Sequence, residues 1–189
     1  MAQDAATRTT TPSSISIARL GIYAAILLIG IAVVLFATAT PAPDLANAKW
    51  YESRHFRFSY PGNWQIDLNH PKYHADYDIY IEAPRSGWAH ITIYDSKISI
   101  EEELSTSIED MSGTMTDRVE GASFNNWGEH VGAGQSIQGN IRGRPHVLRI
   151  FIKQLNAEYT FEVHEFFEEQ KNELFDPAFD LIRSSFTLR

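Results

Sequence analysis

The chain has 189 residues, 43% of them hydrophobic, no cysteine and a formal net charge of −8. Its lack of thiols excludes disulfides, thiolate catalysis and a lipidated cysteine anchor. The stretch after residue 48 carries 14 Lys or Arg against 22 Asp or Glu, so the whole negative excess sits there and argues against nucleic acid or anionic lipid headgroups as partners.

Residues 1–16, rich in Thr, Ser and Ala, read as a disordered cytoplasmic N-terminus. Residues 17–39 read as a transmembrane helix. Within them Leu20 to Ala37 form eighteen residues without a charge. At a rise of about 1.5 Å per residue they make ~27 Å of helix, close to the ~30 Å hydrocarbon core of a bilayer. Arg19 stands at the N-terminal edge, while the other flank opens on Pro41, Pro43 and Asp44. The positive-inside rule then places the N-terminus in the cytoplasm and the rest of the chain in the periplasm or a lumen. The competing reading is a cleaved signal peptide, since Ala37-Thr38-Ala39 and Ala46-Asn47-Ala48 resemble cleavage sites. Gly21, Ala25, Gly30 and Ala32 offer small surfaces on which other membrane helices could pack.

Residues 40–49 read as a linker and residues 50–189 as one extracytoplasmic domain with a core of its own. His55 to Tyr60 alternates with period two and predicts a strand, and Pro61-Gly62-Asn63 predicts a turn into a short strand from Trp64 to Leu68, a hairpin. Tyr77 to Pro84 and His90 to Tyr94 are two further strands. The period then lengthens: Ile100, Leu104, Ile108, Met111 and Met115 mark one face of a helix. Ser99 and Glu102 have capping-box spacing at its start, and Gly113 is a plausible stop. Phe124 to Glu129 and Gln135 to Ile141 read as strands in a glycine-rich region, with Gly132-Ala133-Gly134 as a hairpin turn rather than a phosphate loop. Arg144 to Lys153 is almost continuously apolar, the pattern of a strand covered on both faces. Glu158 to His164 alternates again, and a helix runs from about Phe167 to Arg183, in which Pro177 either introduces a kink or starts a new helix with Asp176 as its cap. Six or seven antiparallel strands with two helices make an α+β domain.

The order of motifs resembles the PsbP-like family, which includes the extrinsic oxygen-evolving protein of photosystem II. The motifs are Phe56-Arg57-Phe58-Ser59-Tyr60-Pro61-Gly62-Asn63-Trp64, then Ile81 to Pro84, the acidic amphipathic helix, Tyr159 to Phe161 and Ser185-Phe186. They span residues 50–189. The resemblance implies an antiparallel sheet sandwiched by helices and a non-catalytic role: an accessory subunit docked on a membrane complex, a photosynthetic one by family. The apparent transmembrane helix departs from relatives that carry a cleaved presequence or a lipid.

Candidate chemistry is sparse. His70, His74, Asp76 and Asp78 gather two imidazoles and two carboxylates within nine residues and could hold a divalent transition metal, although Pro71 rules out convergence from one helix face. They carry the alternative reading, an extracytoplasmic metal- or small-ligand-binding domain. Trp64 reads as a core plug and Trp88, between Gly87 and Ala89, as an exposed interface anchor. Glu129 and His130 read as a solvated loop pair, and Glu165, Glu168, Glu169 and Glu173 as a solvated helix face. No serine stands in a G-x-S-x-G context, and no cofactor motif or catalytic constellation is visible, so the chain is not expected to be an enzyme.

Overall fold

The computed structural model describes residues 40–68, 74–85, 87–96 and 98–189. The chain divides into two units, Met1–Thr40 and Pro41–Arg189. The expected transmembrane helix, with Gly21, Ala25 and Gly30, lies outside the described residues. Among the described residues no helix is long and apolar enough to cross a membrane.

The second unit runs β1 (Lys49–Glu52), β2 (Phe56–Tyr60), β3 (Gln65–Ile66), β4 (Asp78–Ala83), β5 (Gly87–Asp95), α1 (Ile100–Ser112), β6 (Thr116–Trp127), β7 (His130–Ile141), β8 (Arg144–Gln154), β9 (Tyr159–Glu168), a 3₁₀ turn (Glu169–Lys171), α2 (Asn172–Ser185) and β10 (Thr187–Leu188). Seven strands form one sheet in the order β3-β4-β5-β9-β8-β7-β6, and β1-β2-β10 form a second. Every pairing is antiparallel. The α+β expectation, a sheet with a helix on each face, therefore holds.

The large sheet is organised by β8. Its residues alternate between two cores: Val147 and Phe151 join the larger cluster, while Leu148, Ile150 and Ile152 join the smaller one. A strand buried on both faces needs apolar residues at every position, which is why its sequence runs almost unbroken. Beside it, β7 carries glycines where neighbours press close. A Cβ on Gly132 would lie 2.2 Å from the Ile152 carbonyl oxygen, and one on Gly134 would lie 2.2 Å from the Phe124 ring. These glycines therefore lie within a strand and are not the turn expected at 132–134. The turns lie at either end: at Gly128, with φ +59°, and at Arg142-Gly143, with φ of 51° and 75°, the left-handed pair that a two-residue hairpin requires. The outer strand β6 keeps register with β7 only in short runs, interrupted between Thr116 and Val119, Glu120 and Ser123, and Phe124 and Asn126.

Helix α1 covers β7 and β8 with Ile100, Leu104, Ile108 and Met111 over the smaller core. Its start is as expected: the Ser99 hydroxyl accepts from the Glu102 backbone N–H, and Glu101, Glu102 and Glu103 occupy the first turn, where the helix dipole favours negative charge. On the opposite sheet face α2 buries Phe175, Ala178, Phe179 and Ile182. Trp64 packs edge-on against Phe175 and Phe179, a core plug as its flanking turn suggested. Each such aromatic, fully buried, stabilises the fold by roughly 1.5–3 kcal/mol.

Two expectations fail here for reasons of topology. β3 pairs with β4, not with β2, which instead lies between β1 and β10 in the second sheet. That second sheet is fixed to α2 by Ser185, whose hydroxyl accepts from the Ser59 backbone N–H at 2.8 Å. β9 also runs on to Glu168, so the last helix starts later than expected; Pro177 lies inside that helix, the first of the two alternatives, and Asp176 is not a cap.

Candidate functional site

β9 presents different chemistry on each face. Phe161, Val163, Glu165 and Phe167 point toward α2, while Glu162, His164 and Phe166 point toward the side that carries α1. On the latter side α1 packs mainly over β7 and β8. The neighbouring strands β4, β5 and β9 carry a strip of rings on the same face, set side by side by register: Tyr80 opposite His90, His90 opposite His164, and Trp88 opposite Phe166.

The strip is a continuous series of contacts. Trp88 stacks on Phe166 with ring centroids 5.2 Å apart and meets Tyr80 at 5.3 Å. Phe166 stacks in turn on His146 at 4.9 Å, and His90 lies 5.6 Å from His164. Tyr80, Trp88, His90 and Phe166 are each only half buried. Trp88, expected as an exposed anchor, is thus half-buried within a row of rings, stacked on Phe166 and flanked by Tyr80 and His164. Glu82 stands opposite Trp88 and is exposed, and Asp78 pairs with His90 at 2.5 Å.

Where the strip meets α1, one carboxylate collects several donors. Glu162, 6% exposed, accepts from the Ser107 hydroxyl and pairs with His164 Nε2 at 2.7 Å. Burial pushes the Glu162 carboxyl up, but the hydrogen bonds and charge of His164 and the Ser107 hydroxyl outweigh it and hold the pKa below the ordinary carboxylate range. Tyr94, half-buried and donating to Glu103 at 2.5 Å, has its phenol pushed far above the usual range by desolvation and by the Glu162 and Glu103 charges. Ser107, His164 and Glu162 do not form a nucleophile relay. Ser107 Oγ lies 3.2 Å from the same ring nitrogen that Glu162 engages, and His164 Nδ1 is buried with no partner among the described residues. A relay needs the carboxylate on one imidazole nitrogen and the hydroxyl on the other.

The other face has its own node. Glu165, 2% exposed, accepts from Trp127 Nε1 at 2.9 Å and faces Arg183 at 3.3 Å and Arg149 at 3.5 Å. Arg149 also binds Asp176 at 2.7 Å and Asn172 at 3.0 Å, and lies over the Phe167 ring. Burial pushes the Glu165 carboxyl up, and the pull of Arg183, Trp127 and Arg149 does not cancel it. Glu165 is therefore no part of a solvated helix face: it is a strand residue that pins α2 and the β6–β7 turn to the sheet. That turn is tight, since a Cβ on Gly128 would meet the Arg183 carbonyl oxygen at 2.3 Å. His130 beside it is likewise not a loop residue. Its ring packs on Trp127, Phe161 and Phe186, and burial with Lys153 nearby lowers its pKa.

The residues expected to gather around a metal have separate contacts. Asp78 is engaged by His90, Asp76 accepts from the Arg54 backbone N–H at 3.2 Å, and the His74 ring stacks on Tyr77 while its Nδ1 accepts from the Asp76 N–H. His70 lies outside the described residues. Beside Tyr77 a cleft of about 810 Å³ opens between the two sheets, lined by Arg54, His55, Tyr77, Asp95, Tyr159 and Arg189 among others. His90, His146, His164, Glu162 and Phe166 were not singled out from the sequence. The available clue was the polar set Thr160, Glu162 and His164 at alternate positions in a strand whose other face is apolar, although alternation of that kind ordinarily means solvent.

No family model matches the chain, and no curated protein matches it. Among solved structures, it is similar to the Ran-binding protein Mog1p of Saccharomyces cerevisiae, with a TM-score of 0.54 at 9% identity over 75% of this chain and 95% of that one. It is also similar to LpqN, involved in cell envelope biogenesis of Mycobacterium tuberculosis, with a TM-score of 0.48 at 8% identity over 78% and 98% of the two chains. Cyanobacterial PsbP from Synechocystis has a TM-score of 0.44 at 14% identity over 80% and 96%. The likeness to Mog1p shows a shared fold.

Proposed function

We propose that this chain is a non-catalytic accessory subunit, held at a membrane by residues 17–39, whose outer domain docks on and stabilises a larger membrane complex. The observation that carries this reading is the half-open strip of Tyr80, Trp88, His90 and Phe166 beside α1. Large rings left partly open on a sheet face otherwise covered by a helix are what an interface core uses. The buried titratable groups hold one another: Glu162 with Ser107 and His164, Glu165 with Arg149 and Arg183. A PsbP-like membership, with a photosynthetic complex as the host, is the finer form of this reading and rests on the motif order from Phe56 to Phe186. The membrane would be a cytoplasmic or photosynthetic one, with the domain on the periplasmic or lumenal side.

Purification of the native protein in mild detergent, followed by mass spectrometry, tests the proposal. Co-purifying integral membrane subunits are expected, and a protein that runs alone as a monomer would defeat it. Intact mass in the same sample reports whether the N-terminal segment is retained.

A second reading, an extracytoplasmic ligand- or metal-binding domain, draws on the cleft beside His55 and Tyr77. Its volume lies within the usual range for small-ligand sites. Titration with divalent metal, followed by tryptophan fluorescence, should saturate at micromolar metal if this reading is right.

A further inference from the structure

We propose that the cleft between the two sheets binds a small zwitterion with an apolar body, an amino acid or a short peptide, with its carboxylate at Arg54 and its ammonium group at Asp95. The proposal rests on the ligand-binding reading of that cleft and names the chemistry of its ligand. The cleft has a volume of about 810 Å³ and an apolar floor. Ile93 belongs to the larger core, and the half-buried Leu155 and Leu188 pack against it. The walls differ in charge. Arg54, in the loop between β1 and β2, and Arg189, just beyond β10, come from the smaller sheet. Asp95 ends β5 and Tyr159 opens β9, opposite each other in the larger sheet. Side chains alternate along a strand, so Asp95 shares the face of Ile91 and Ile93, and Tyr159 that of Phe161 and Val163. Both therefore point to the side of the larger core, at whose margin the cleft lies.

Two charges in the cleft are unanswered. The Arg54 guanidinium and the Asp95 carboxylate are exposed, with no hydrogen bond or ion pair among the described residues. The neighbouring charges are engaged: Arg189 Nη1 donates to Glu52 and to the Ser53 carbonyl oxygen, and Asp76 accepts from the Arg54 backbone N–H. A simple anion would gain at Arg54 and be repelled at Asp95, and a simple cation the reverse. A ligand with both charges is answered on each wall, so the pair selects by repulsion as well as attraction. Charge-assisted hydrogen bonds at the two ends orient it. Its apolar body lies over Ile93, Leu155 and Leu188, the usual division of labour in a small-ligand site.

The test is calorimetric titration of the full-length chain in mild detergent with phenylalanine, with leucyl-phenylalanine, and with that dipeptide acetylated at its N-terminus or amidated at its C-terminus. Saturable binding of a free zwitterion is expected. Tighter binding of phenylalanine marks an amino acid as the ligand, and tighter binding of the dipeptide marks a peptide. Blocking either end should weaken binding about fivefold or more. The variants should remove these penalties one at a time: in Asp95→Asn acetylation no longer costs affinity, and in Arg54→Gln amidation no longer does. Glu82→Gln, a like change outside the cleft, should leave binding as it was. Both cleft positions are exposed, and circular dichroism checks that the variants are folded. Absence of saturation by either zwitterion, or an acetylation penalty that persists in Asp95→Asn, or an amidation penalty that persists in Arg54→Gln, overturns the proposal. If divalent metal saturates the tryptophan fluorescence while no zwitterion binds, this ligand falls and the ligand-binding reading stands. If neither binds, both fall.

Discussion

β9 carries two buried glutamates three residues apart, and they behave as opposites. Glu162, beside α1, has neutral donors and a histidine around it, and its pKa is held down. Glu165, beneath α2, has two arginines and a tryptophan, yet its pKa is pushed up. The contrast lies in burial. Hydrogen-bond donors aimed at a carboxylate can outweigh partial desolvation, whereas even two cations at 3.3 and 3.5 Å do not fully repay complete desolvation. One node fastens a helix at the margin of an open surface; the other fastens a helix, a turn and a sheet in the interior.

Glu165→Ala should break the interior node and cost about 3–5 kcal/mol of stability, because it leaves Arg149 and Arg183 facing a buried site with no carboxylate. Urea denaturation measures this, and a loss below that of Glu162→Ala would reverse the ranking of the two faces. Glu162→Ala should cost less, about 1–3 kcal/mol, by orphaning Ser107 and His164. Acid titration sharpens the contrast through its sign. The lowered pKa of Glu162 gives a contribution fully present above the unfolded carboxyl pKa and lost as pH falls through the folded value. The raised pKa of Glu165 gives the reverse, a contribution present at low pH and lost as pH rises through its folded value. The loss of stability on acidification should therefore be shallower in Glu162→Gln and steeper in Glu165→Gln than in the native chain. Matching slopes in both variants would contradict the contrast. The smallest effect belongs to Ser99→Ala, which removes the cap of α1 and should cost about 1 kcal/mol, read as a shift in melting temperature.

Local patterns were the legible part of this fold. The unbroken apolar run of β8, the Ser99 cap and the alternation of Phe56 and Phe58 are each dictated by immediate neighbours in sequence, and each appears as expected. Pairing was not legible in the same way. β3 lies close to β2 in sequence but hydrogen-bonds to β4, because the second sheet recruits β10 from the far end of the chain. Gly132 and Gly134 have the composition of a turn, and only the rings of Phe151 and Phe124 above them explain why a strand needs them. Polar strand positions misled in the same manner: Glu165 looks solvated until Trp127, Arg149 and Arg183, from three other elements, close over it. The strip was legible only at Trp88, since apart from His90 on the same strand its rings come from β4, β8 and β9 and meet through register alone.

The interrupted register of β6 has a consequence for the behaviour of many molecules together. A twelve-residue border strand would ordinarily be a template on which another chain could extend the sheet. Here three irregularities divide it, and Asp117, Arg118 and Glu120 punctuate what remains. The opposite border, β3, is only two residues long. Neither margin of this sheet offers an incoming strand a long, flat, ungapped run, so its edges are poor templates for sheet extension by a second molecule.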